Sequence, residues 1–91
     1  MKKLPETVAE YARTKVYDQN TVPAKLTAMH ETKTGVWGII EVQEGVLEYH
    51  ILCDPPEHHQ LTRQTPGIIE PAMPHYVTPK GAVRFQVIFL K

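Results

Sequence analysis

Prolines punctuate the chain between residues 66 and 79, at Pro66, Pro71, Pro74 and Pro79. Each removes a backbone N–H, holds φ at about −65° and pushes the preceding residue out of the α region. No helix fits there. The rest of the chain carries the alternation of half-buried strands. Val83, Phe85, Val87 and Phe89 alternate with Arg84, Gln86, Ile88 and Leu90, a pattern for a central strand with one fully apolar face. Val36 to Gln43 is β-branched and aromatic, and Val46 to Cys53 sets Leu47, Tyr49, Ile51 and Cys53 inward and Glu48 and His50 outward. Glu44-Gly45 between them predicts a two-residue hairpin turn.

The remaining segments are shorter. Lys25 to His30 alternates as a strand with His30 on the apolar face. Thr32 to Gly35 is a loop, and Asp18 to Pro23 is a turn by composition. Thr7 to Glu10 has the spacing of a capping box, yet Tyr11, Thr14, Val16 and Tyr17 favour an extended segment. Residues 1–6 form a loose lead-in. Asp54-Pro55-Pro56-Glu57 breaks the chain, and His58 to Arg63 suits an edge strand. About seven or eight short strands with frequent turn signals predict one all-β domain over residues 1–91, a small antiparallel barrel or sandwich.

Charge narrows the partners. Ten basic residues offset ten acidic ones, so neither nucleic acid nor an anionic membrane finds an electrostatic footprint. Self-repulsion is weak, and a modest core with an apolar closing strand suggests that a second copy covers some apolar surface, a homodimer. Cys53 is the single cysteine, which suits a reducing, cytoplasmic compartment. Leu4-Pro5-Glu6 follows the opening lysines, so no signal peptide is expected. No stretch approaches the roughly 20 apolar residues of a membrane helix.

The order His30, Gly45, Pro71 and His75 on this Pro/Gly-punctuated chain resembles a minimal cupin. More narrowly, the run His30-x-Thr-Lys-x-Gly-x-Trp-Gly is similar to a small family linked to tellurite resistance protein B. Glu44-Gly45-x-Leu-x-Tyr, Glu70-Pro-x-x-Pro-His75 and Val83-Arg-Phe-Gln-Val extend the likeness over roughly residues 4 to 90. The resemblance implies a cupin-type double-stranded β-helix barrel with His30 and His75 converging at its mouth. In some members the domain is fused to a methyltransferase. This chain has no glycine-rich nucleotide loop, so S-adenosylmethionine is not expected. It also departs from the cupin ligand set. Thr32 stands where a second histidine belongs, and Trp37 and Gly38 lie where a glutamate would precede Gly45.

Those departures shape the expected site. His30 and His75 are candidate ligands for a divalent metal, and two imidazoles hold one weakly unless the shell is completed from elsewhere. They equally suit a metal-free pocket or simple backbone hydrogen bonding. Lys33 is a mobile charge that could draw an anion to the mouth, or a solvated loop lysine. Trp37 stacks on a ligand or fills the core. Arg84 clamps a carboxylate, or pairs with Glu70. His58 and His59 point to opposite faces and cannot easily share an ion, so a solvated loop is the simpler reading. Cys53 suits a buried small hydrophobe. Glu41, Glu44 and Glu48 lie outward and form no catalytic pair. The functions that follow are a small protein binding an anionic or metal-associated ligand, a metal-dependent enzyme of small-molecule oxidation or isomerisation at His30 and His75, or an accessory partner of a separate methyltransferase. By the same resemblance the setting would be the response to toxic oxyanions such as tellurite.

Overall fold

The structure is a computed structural model describing all of residues 1–91. Its centre is the closing strand that the alternation predicts, β8 (Arg84–Leu90). β8 pairs antiparallel with β3 (Trp37–Glu44) along one edge and with β1 (Glu10–Arg13) and β2 (Tyr17–Asp18) along the other. β6 (Gly67–Ile69) adds to the far side of β3. A second antiparallel sheet has the order β5 (Glu57–Leu61), β4 (Leu47–Ile51), β7 (His75–Pro79). The extended reading of Tyr11 to Tyr17 corresponds in part to β1 and β2, and the edge strand over His58 to Arg63 to β5.

The two sheets share one core. Ile40 and Val42 of β3, Phe85 and Val87 of β8 and Ile69 of β6 pack with Leu47, Tyr49 and Ile51 of β4, Leu61 of β5 and Val77 of β7. The Tyr49 hydroxyl donates to the Ile68 carbonyl at 2.9 Å, which satisfies the polar end of a buried ring. Neither sheet closes on itself. The radius of gyration, 12.1 Å, matches the roughly 12 Å expected of one compact domain of this length. No helix is long and apolar enough to cross a membrane.

Three local expectations are corrected. Lys25 to His30 is not a strand: a short helix α1 (Ala24–Thr27) occupies it. Pro23, extended at the N-cap, accepts from the Leu26 amide at 2.9 Å, and the Thr27 hydroxyl donates back to the Ala24 carbonyl. The Glu44-Gly45 turn does not close a hairpin. Both edges of β3 are taken by β8 and β6, and both edges of β4 by β5 and β7, so the turn hands the chain from one sheet to the other. Gly45 has φ +78°, and a Cβ there would lie 2.1 Å from the Ala82 carbonyl oxygen. Residues 1–6 are tethered rather than loose. Met1 Sδ accepts from the Ile68 amide at 3.2 Å, and Lys2 pairs with Glu70 at 3.2 Å. The Met1 ammonium meets Glu57, whose pKa is lowered to about 2 by that ammonium first and by His59 second.

Candidate functional site

His75 opens β7 with its side chain on the inner face, 1% exposed. His30 follows α1 and forms an isolated antiparallel bridge with it: His30 N donates to the His75 carbonyl and His75 N to the His30 carbonyl, both at 2.9 Å. This bridge, not a longer strand, brings the two imidazoles together. Their ring centroids lie 4.2 Å apart in an edge-to-face arrangement, with the Tyr49 ring against the other side of His75 at 5.8 Å.

Each ring is fixed through Nδ1. His30 Nδ1 lies 3.0 Å from the Ala28 carbonyl oxygen, and His75 Nδ1 lies 2.8 Å from that of Met73. A carbonyl oxygen can only accept, so Nδ1 carries the hydrogen in both rings. In the neutral form this leaves Nε2 as a lone pair, the acceptor that also ligates metals. His75 is almost wholly buried, and its ring is one of the two imidazoles that line the adjoining cleft. Burial holds the His75 pKa below the usual imidazole range. The Met73 carbonyl opposes that shift and the His30 ring adds to it.

The cleft has a volume of about 460 Å³ and is lined by His30, His75, Tyr11, Tyr17, Lys25 and Lys33, among others, with Leu26, Val87 and Phe89 as apolar wall. Glu31 is the only carboxylate among the lining residues. Lys25 and Lys33 form no ion pair, unlike Lys2 and Lys80. The cleft therefore joins a polar floor of two imidazoles to an apolar wall and two free ammonium groups.

Of the residues singled out from sequence, His30, Lys33 and His75 meet in this cleft. Trp37 and Arg84 do not. The inward residues of β3 are Gly38, Ile40 and Val42, so Trp37 lies on the opposite face, paired in register with Leu90. Arg84 is exposed and sits between Asp18 of β2 and Glu44 of β3. Its charge contributes to the lowered pKa of Asp18, behind the Asn20 and Thr21 hydrogen bonds. Glu70 pairs with Lys2 rather than Arg84. Cys53 is half-buried against the core, and Glu41 accepts from Gln86 across the sheet at 2.8 Å.

The sequence reading missed two features. Lys25, assigned to a strand face, reaches the cleft because α1 replaces that strand. His58 lies on β5 rather than in a loop, directly opposite His50 of β4. His50 and His58 gather with Glu48 on the outer face of the small sheet. The signal was present in the outward phase of Glu48 and His50, but the register that faces His50 to His58 is a tertiary fact.

A family model described as the TehB-like domain matches residues 12–87. A crystal structure of a protein from E. coli (strain K12) superposes with a TM-score of 0.90 at 19% identity, over 100% of this chain and 97% of that one. The crystal structure of TehB from Haemophilus influenzae superposes with a TM-score of 0.83 at 22% identity, over 93% of this chain and 32% of that one. The chain thus spans about a third of that TehB chain. No curated relative matches its sequence. At these identities the two structures speak to the fold alone.

Proposed function

The chain belongs to the TehB-like domain family, and from that premise we propose that it is a small binding protein whose cleft takes an oxyanion that keeps an acidic O–H. The same reading takes the two facing sheets as a cupin-type double-stranded β-helix left open, since neither sheet closes into the expected barrel, with the cleft at its mouth. The observation that carries it is the pair of imidazoles whose Nδ1 atoms are tied to carbonyls, beside two unpaired lysines. The Nε2 lone pairs accept a hydrogen bond from a protonated ligand oxygen. Lys25 and Lys33 supply the positive potential that draws the ligand's charge. An anion carrying one acidic O–H satisfies both.

Calorimetric titration with tellurite tests this, with small carboxylates, which carry no O–H at neutral pH, as the weaker-binding control. The wild-type chain should bind one equivalent. His30→Asn should weaken binding by about tenfold or more, since a hydrogen bond to a charged group is worth roughly 1.5–3 kcal/mol. Lys33→Ala should weaken it a few-fold. Absence of binding, or equal binding by both variants, contradicts the proposal.

The same free Nε2 atoms favour a second reading, in which His30 and His75 hold a divalent metal for small-molecule oxidation or isomerisation. Such a metal needs a third ligand, and Glu31 is the carboxylate that lines the cleft. Metal content of protein purified without chelators, lost in both His30→Asn and His75→Gln, would favour it. A homodimer is the assembly we expect. Exposed Tyr11, Met29 and Leu52 offer apolar surface to cover, and light scattering at the monomer mass would rule it out.

A further inference from the structure

We propose that Glu48, His50 and His58 form a binding site for a late first-row divalent cation such as Zn²⁺, separate from the cleft. Antiparallel pairing sets His50 of β4 directly opposite His58 of β5. Glu48 stands two residues before His50 and so shares its face. That face points away from Tyr49 and Ile51, hence away from the core and the His30–His75 cleft. His50 Nε2 lies 3.9 Å and His58 Nε2 3.6 Å from the Glu48 carboxylate. One ligand atom from each residue lies within 4.8 Å of the other two.

The set is chemically apt. Two imidazole nitrogens and one carboxylate suit zinc, copper or nickel, whereas magnesium and calcium prefer all-oxygen shells. Donors on one tetrahedral zinc lie about 3.4 Å apart for bonds near 2.05 Å, so closure contracts the present spacing by at most roughly 1.4 Å. Side-chain rotation covers that distance. His50 and His58 stack at 4.6 Å with 20° between their planes, and Tyr76 stacks on the other side of His50 at 4.3 Å. The stack holds His50 on the rigid sheet, while His58, 49% exposed, is free to tilt toward the ion. Water takes the fourth position. The ion would staple β5, which pairs with no strand but β4, to the rest of its sheet.

Lys80 gives the site a signature of its own. Its ammonium lies 3.6 Å from the Glu48 carboxylate and occupies the charge that a cation would claim. Removing it should tighten metal binding, an effect no cleft site would show.

The test titrates the full chain, stripped with chelator, with zinc chloride by calorimetry and follows thermal unfolding in parallel. One zinc equivalent should raise the unfolding temperature. His58→Asn and Glu48→Gln, both conservative changes outside the core, should each weaken that equivalent by about tenfold or more. Lys80→Met should tighten it a few-fold, and His30→Asn should leave it unchanged. Zinc binding that is absent from the wild type, or indifferent to both His58→Asn and Glu48→Gln, overturns the proposal. Binding lost in His30→Asn but kept in His58→Asn assigns the ion to the cleft and overturns it equally. Neither result bears on anion binding by His30 and Lys33, which the tellurite titration reads separately.

Discussion

At the scale of single residues, His75 ties the cleft to pH. Its ring is neutral in the folded chain because burial disfavours the charged form. The unfolded chain protonates at the ordinary imidazole value, about 6.5, and the folded chain only below it. Between the two, unfolding takes up a proton, so stability falls as pH drops from about 6.5 toward the lower folded value. Urea midpoints of the wild type should therefore fall between pH 7.5 and 5.5 by more than those of His75→Gln. Gly45 gives a second prediction. Alanine there meets both a positive φ and the Ala82 carbonyl, and Gly45→Ala should lose about 2 kcal/mol or more in chemical denaturation. The two histidines and Gly45 were legible because their residue types and spacing carry a family pattern. Trp37 was not. β3 is apolar on both faces, with Ile39 opposite Ile88 and Trp37 opposite Leu90 on the outer side, so hydrophobicity alone leaves the phase of the tryptophan open.

At the scale of elements, β8 was legible from its alternation, and its central place follows from the burial of Phe85 and Val87 on one face and Ile88 and Leu90 on the other. Phe85 is fully buried, and Phe85→Ala should cost about 3–5 kcal/mol in equilibrium unfolding. Tyr49→Phe removes only the hydrogen bond to Ile68 and should cost about 1 kcal/mol. Connections were less legible than strands. A glycine with positive φ serves a hairpin and a sheet-to-sheet crossing alike, so Glu44-Gly45 could not reveal which strands would pair. In Lys25 to His30 the alternation rests on two apolar residues, Leu26 and Ala28, and His30, too few to outweigh the helical turn that Pro23 caps. Only the bridge to His75, 45 residues away, decides where His30 lies.

At the scale of the whole molecule, the fold sets two independent groups of histidines on the two faces of one small sheet. His30 and His75 serve the cleft between sheets, and His50 and His58 the outer surface. The chain's zero net charge gives no long-range attraction for an anion, so binding rests on Lys25 and Lys33 at close range. Raising salt from 0.05 to about 0.5 M shortens the Debye length severalfold and should weaken tellurite binding in the wild type far more than in a Lys25→Ala/Lys33→Ala double variant. The most direct test of the cleft is a nitrogen–proton correlation spectrum of the five histidine rings, recorded while tellurite is added. The Nε2 signals of His30 and His75 should move and saturate together while both Nδ1 atoms keep their hydrogens, and the rings of His50, His58 and His59 should hold still. Shifts spread evenly over all five rings, or confined to His50, His58 and His59, would contradict it.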